Sequence, residues 1–316
     1  MHGADGEPDF AQIVATLRAR VSEPRAGLYG PSSMTWKLLR EPALLLGGGR
    51  ALLLQIAHPA VAAAVEEHSD FRQHPFARAE RTFSAMFRIA FADLDGALTA
   101  AAQVHGRHAS VRGTIATSGK AYRASDPELL LWVHATLVDT VLEVYPRMIA
   151  PLSGEDAERY YQEQRTTAFL LGVPEEIQPP DLASFRRWFA SIVDGGVLRV
   201  GEVARAQCRD LLAQPPSTAL RAMLGRDARL PALLDALGLG RASTRLARLL
   251  TAGLLPSRLR APFGFSWSSL DARAFAAVTT LTRTIHGRLP SSLRTVPAFG
   301  KALARATGAS SLERGS

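Results

Sequence analysis

A chain of 316 residues, 47% of them hydrophobic, is long enough to bury a sizeable core. Its single cysteine, Cys208, excludes intrachain disulfides, a cysteine-rich zinc site and an iron–sulfur cluster held by this chain alone. The net charge of +8 rests almost wholly on arginine, since Lys37, Lys120 and Lys301 are the only lysines; the arginines are scattered among apolar positions, which argues against specific nucleic-acid binding.

The opening MHGADGEPDF is acidic and lacks the basic start and apolar stretch of a secretory signal, so a cytoplasmic protein is expected, with residues 1–24 as a lead segment. From Ala43 to Val65 the chain approaches the length of a membrane span, but Arg50, Gln55 and His58 interrupt it and Pro59 follows. The expectation there is a buried helix pair. Apolar residues then recur at three- and four-residue spacing through most of the chain, and alternating strand-like runs are nearly absent. Breaks fall at Gly47-Gly48-Gly49, Gly113 to Gly119, Gly172-Val173-Pro174, Pro179-Pro180, Gly195-Gly196, Pro215-Pro216 and Leu255-Pro256. Helices of about 10 to 25 residues fit between them. Ser125-Asp126-Pro127-Glu128 and Ser153-Gly154-Glu155-Asp156 read as helix starts, each with a capping side chain and acidic residues in the first turn. The prediction is an all-α protein with one large globular multi-helix domain over residues 25–300, and a flexible tail over 301–316.

Three groups of residues invite chemistry. His105 and His108 stand one helical turn apart, and a continued helix would carry Arg112 a turn further on the same face, presenting an imidazole with a cation near it. His134 sits in Leu130-Leu131-Trp132-Val133-His134-Ala135, where a histidine is costly unless hydrogen-bonded or ligated. For both histidines the competing reading is a core imidazole satisfied by a backbone carbonyl. Arg78, Arg81 and Thr82 share a helix face at i, i+3 and i+4, suited to a propionate or an oxyanion, or else to a solvated salt-bridged surface. His58 and His68 read as structural caps at the turns near Pro59 and Ser69.

Other metal and nucleotide chemistries lack their spacings. The Glu-x-x-His pairs of a di-iron bundle, the His-Glu-x-x-His of a zinc protease, a nucleophile elbow and a phosphate loop are all missing; Gly47-Gly48-Gly49-Arg50 has no Lys-Ser/Thr ending. The His-x-x-His of His105 and His108 has no carboxylate following at helical spacing. What is left is a cofactor that needs one good imidazole in an apolar pocket between helices, which describes haem.

Several segments resemble the family of latex-clearing proteins (rubber oxygenases) and MpaB-type oxygenases. They are Arg50 to Pro59, Glu67-His68-Ser69-Asp70-Phe71, Arg78-Ala79-Glu80-Arg81-Thr82, His108-Ala109-Ser110-Val111-Arg112-Gly113, Tyr122 to Pro127, Leu131 to Ala135, Pro151-Leu152-Ser153, Leu171 to Pro174 and Gly253 to Arg260, in the expected order. The resemblance implies an all-helical haem b (iron) oxygenase that acts on a hydrophobic, isoprenoid-type substrate with dioxygen. It implies His108 as the proximal iron ligand, with Arg112 beside it, and Arg78 with Thr82 as the distal polar pair. His134 is read as bonding a propionate or the proximal helix, with the ligand role as its alternative. Rubber oxygenases carry a lysine just before that threonine; here it is Arg81, a poor iron ligand because it does not deprotonate readily. Phe91-Ala92-Asp93 departs from the Phe-Gly of many members. The competing reading of another class is a non-enzymatic helical protein that binds an apolar ligand or lipid. A weak peripheral membrane contact through Arg241 to Arg260, and a homodimer through exposed apolar surface, are further expectations about partners.

Overall fold

The computed structural model describes residues 9–69, 75–213 and 240–308; the side chains of residues 75–80, 240–243 and Ser292 lie outside that description. The break at Pro215-Pro216, Asp70-Phe71 and the end of the tail from residue 309 therefore lie outside the described residues, as does the side chain of Arg78. Among the described residues the chain forms fourteen α-helices, a few 3-10 turns and one two-stranded hairpin, an all-α fold.

Helix α1 (Phe10–Arg20) starts on the Asp9 carboxylate, which accepts the Ala11 N–H, and buries Ile13 and Leu17. Helix α2 (Met34–Leu39) is capped by the Ser33 hydroxyl. A 3-10 turn at Pro42–Gly47 feeds α3 (Gly48–Ala57), after which the chain bends by 103° into α4 (Pro59–His68). His58 makes that corner: its Nδ1 accepts the Ala60 N–H at 3.3 Å and Pro59 supplies the first turn, the capping role its sequence setting predicts. The pair is buried through Leu53, Leu54, Ile56 and Val65. Arg50, which interrupts the apolar run, is buried too, donating to the Leu254 carbonyl at 2.8 Å, to the Thr140 hydroxyl at 2.7 Å and to the Asp139 carboxylate.

Helices α5 (Pro75–Phe91) and α6 (Leu94–Ala109) form an antiparallel hairpin turned at Ala92-Asp93, where the Asp93 carboxylate accepts the Gly96 N–H at 2.8 Å. Strands β1 (Arg112–Thr114) and β2 (Ala121–Arg123) follow as a short antiparallel ladder. Helix α7 (Pro127–Met148) is the axis of the domain, with Asp126 as its cap and Pro127 in its first turn. It is apolar enough to cross a membrane by length and composition, yet it lies in the core, with Val144 and Met148 fully buried.

Helix α8 (Gly154–Leu170), capped by Ser153, packs along α7 and α2. Next come α9 (Leu182–Asp194), α10 (Glu202–Ala213), α11 (Gly240–Leu254), α12 (Ser257–Arg260), α13 (Ser269–Arg288) and α14 (Pro297–Ala306). One contiguous core gathers Trp36, Leu53, Leu54, Val144, Met148, Tyr160 and Phe185, each contributing roughly 1.5–3 kcal/mol by burial. Within the Arg241 to Arg260 stretch, the Arg260 guanidinium donates to the Ala252 carbonyl at 2.8 Å and lies 4.4 Å from the Trp267 ring centroid, so this arginine is built into the fold.

Candidate functional site

The site begins with one face of α5. Thr82, Met86 and Ala90 recur at i, i+4 and i+8, and Ile89 lies beside them. Met86, Ile89 and Ala90 wall a small cavity of about 40 Å³, closed by His134 and Leu137 of α7, by Tyr160, Gln164 and Thr167 of α8, by Thr35 and Leu39 of α2, and by Leu171. Thr82, half-buried, is one turn further along the face that walls this cavity, and Arg78 is one turn beyond it on the backbone. Arg81 is exposed at the border of that face. The α5 face thus runs from apolar at the cavity to polar at its outer end.

The second part of the site is the C-terminal end of α6. Arg88 of α5 donates to the Gln103 side chain of α6 at 3.1 Å, one link across the hairpin. Counted from the turn at Ala92-Asp93, His108 lies fifteen residues along α6 and Ala77 fifteen residues back along α5, so at equal rise per residue His108 is nearest the backbone turn that carries residue 78. His108 is half-buried. His105, one turn earlier, faces the core: its Nε2 lies 3.0 Å from the Leu170 carbonyl and its ring 4.3 Å from that of Phe10. The chain crosses closely here, since a Cβ on Gly172, whose φ is 96°, would sit 3.0 Å from His105. His105 and His108 are therefore not a matched ligand pair. The carbonyl that holds His105 belongs to Leu170, next in sequence to Leu171 of the small cavity's wall.

Arg112 does not continue the α6 face as its spacing predicts. The helix ends at Ala109, the Val111 N–H returns to the His108 carbonyl at 3.0 Å, and Arg112 lies exposed on β1. The cause is the hairpin that follows. The Tyr122 hydroxyl donates to the Glu67 carboxylate at 2.6 Å, directly over Gly113, where a Cβ would lie 2.4 Å from that carboxylate oxygen. Burial, reinforced by the Glu67 carboxylate, pushes the Tyr122 phenol well above its usual range and keeps it a donor. His68, at the end of α4, holds the same hairpin with its Nε2 3.1 Å from the Arg112 carbonyl.

His134 is buried in the α7–α8 interface. Its Nε2 donates to the Gln164 carbonyl at 3.0 Å, and burial pushes its pKa down to about 4, so the ring is neutral. The Gln164 side chain continues the chain of contacts by donating to the Thr35 hydroxyl at 2.9 Å. Thr35, Met86 and Gln164, which share the cavity with His134, are missed by sequence reasoning; only the i, i+4 step from Thr82 to Met86 offers a signal. Asp139 is missed as well, although a lone carboxylate in the apolar run of α7 asks for a buried cation, and Arg50 is that cation.

Thr82 on α5 and His108 at the end of α6 thus lie on one helical hairpin, and the α5 face also walls the small buried cavity. The chain belongs to the family described as ER-bound oxygenase mpaB/B'/rubber oxygenase, catalytic domain, which matches residues 36–284 and so spans both parts of the site. It is an oxygenase-type catalytic domain. Similar proteins are Uncharacterized protein Mb2261 of Mycobacterium bovis and Uncharacterized protein Rv2237 of Mycobacterium tuberculosis, each 30% identical over 247 residues, covering 76% of this chain and 87% of the relative. No solved structure matches this chain.

Proposed function

We propose that this protein is a haem b-dependent oxygenase that acts on a hydrophobic, isoprenoid-type substrate with dioxygen. The observation that supports the reading is the α5–α6 hairpin, which carries Thr82 and the half-buried His108, with the α5 face walling a small buried cavity. A haem asks for one imidazole, and His108, half-buried at the end of α6, is the residue that would supply it. The cavity, at about 40 Å³, is far below the roughly 300–1,000 Å³ of organic-ligand sites and suits a diatomic molecule rather than the cofactor or the substrate.

A bound haem supplies the iron at which dioxygen is activated. His108 would hold it. Iron takes the neutral form of an imidazole, so cofactor binding through His108 would be weakened by acid. Thr82, with Arg78 as the family resemblance implies, would orient dioxygen or an anionic group. Met86, Ile89 and Leu137 keep water out of the cavity. His134 fixes α7 against α8 through the Gln164 carbonyl and stays neutral in doing so.

Dioxygen uptake by the haem-loaded protein with a soluble polyisoprenoid olefin, with carbonyl products followed by mass spectrometry, tests this function. Wild type consumes dioxygen with the olefin, and Thr82→Val lowers the rate by about 10²-fold with the haem band unchanged. Haem-loaded protein that consumes no dioxygen across a series of olefins of different length overturns it.

A further inference from the structure

A second cavity, of about 470 Å³, lies between α10 and α11 against residues 261–264, and none of its lining residues belongs to the site on α5, α6 and α7. Its volume is that of a small-molecule site. The wall is apolar, with Leu212, Phe263 and the buried Cys208 thiol, which burial keeps neutral by pushing its pKa up to about 11. Three guanidiniums edge it. Arg205 is held by the Pro262 carbonyl at 2.9 Å, and Arg248 by the Gly264 carbonyl at 3.2 Å and by the Phe265 ring, 4.9 Å away. Arg209 is held by the Glu202 carboxylate at 3.0 Å, which also lies 3.7 Å from Arg205.

Among the described residues, Glu202 is the one carboxylate that pairs with these three cations. Each guanidinium carries five N–H donors and spends only one or two on the contacts that orient it, so donors remain for a ligand. An excess of oriented cations over an apolar slot selects a ligand with matching halves. A bare anion leaves the apolar wall wet, and a neutral hydrocarbon leaves the guanidiniums without a counter-charge.

We propose that the α10–α11 cavity binds an amphipathic anion, an oxyanion headgroup on an apolar stem, with Arg209 and Arg248 on the headgroup and Leu212 and Phe263 on the stem. This inference stands apart from the oxygenase reading, because it uses neither the α5–α6 hairpin nor a cofactor.

Isothermal titration of the full chain with decanoate, decyl phosphate, decanol and inorganic phosphate tests it. Decanoate or decyl phosphate binds, and whichever is tighter assigns the headgroup as a carboxylate or a phosphate; decanol and inorganic phosphate bind at least about 10-fold more weakly. Arg209→Gln and Arg248→Gln each weaken the better ligand by about 10-fold, as loss of a charged hydrogen bond requires. Glu202→Gln removes the competing carboxylate and tightens binding, an effect in the opposite direction that a merely destabilised protein does not show. Decanol binding as well as decanoate, phosphate binding as well as decyl phosphate, or both arginine variants binding like wild type would overturn the proposal.

Discussion

His134 on α7 and His108 on α6 both sit in helical sequence, and the fold treats them differently. His134 is sealed between two core helices, its Nε2 spent on the Gln164 carbonyl and its ring neutral. His108 stands half-buried at a helix end, beside a face that turns from apolar to polar. A buried imidazole must find a partner within its own fold, and the carbonyl of a neighbouring helix is the partner nearest at hand. An imidazole at a helix terminus is placed by the backbone without being enclosed by it. His134 is thus committed to the core, whereas His108 is the proposed ligand of the cofactor, and the difference can be tested in both.

The largest effect belongs to the core. Replacing Arg50 by Met leaves the Asp139 carboxylate uncompensated at the α3–α7 contact, and urea unfolding should show a loss of about 3–5 kcal/mol. Thr82→Val on the hairpin should cost no more than about 1.5 kcal/mol in the same assay, the worth of one hydroxyl hydrogen bond. Equal effects at the two positions would erase the contrast.

Next comes acid. The folded-state pKa of His134, about 4, lies below its ordinary value of 6.5, so the unfolded chain takes up the proton first. The stability contributed by the neutral ring is fully present above about pH 6.5 and is lost as pH falls through about 4, amounting at most to about 3 kcal/mol. His134→Leu should flatten that part of the profile. A profile between pH 6.5 and 4 that is the same in wild type and in the variant would contradict the assignment of a neutral core imidazole.

Gly113→Ala is a smaller perturbation at the border of the two regions. Its methyl group displaces the Glu67 carboxylate from Tyr122, and the loss of that bond should lower stability by about 1–2 kcal/mol, read from thermal unfolding. Tyr122→Phe in the Gly113→Ala background should then cost almost nothing more, since the two changes remove one interaction.

Much of the scaffold is legible in the residues themselves. Asp126-Pro127 and Ser153 start α7 and α8 as their chemistry dictates, and the polar interruptions at Arg50 and His58 mark a buried helix pair rather than a span, because each has a local or cross-helix partner. The end of α6 is not legible from periodicity. The spacing of His105, His108 and Arg112 continues smoothly through Ala109, and only the distant Glu67 and Tyr122, which need Gly113 beneath them, stop the helix and take Arg112 off the face. The small cavity is hidden for the same reason. Thr35, Met86, His134 and Gln164 come from four helices, and one-dimensional spacing reports only neighbours on a single helix.

The contrast between the two histidines is tested most directly by titrating haem into wild type, His108→Ala and His134→Ala and following the visible absorption band. Wild type and His134→Ala should both take up one equivalent with the same band, the latter in a less stable protein, while His108→Ala should lose or shift it. A band unchanged in His108→Ala and lost in His134→Ala, with both variants folded, would contradict the account and move the iron to the core helix.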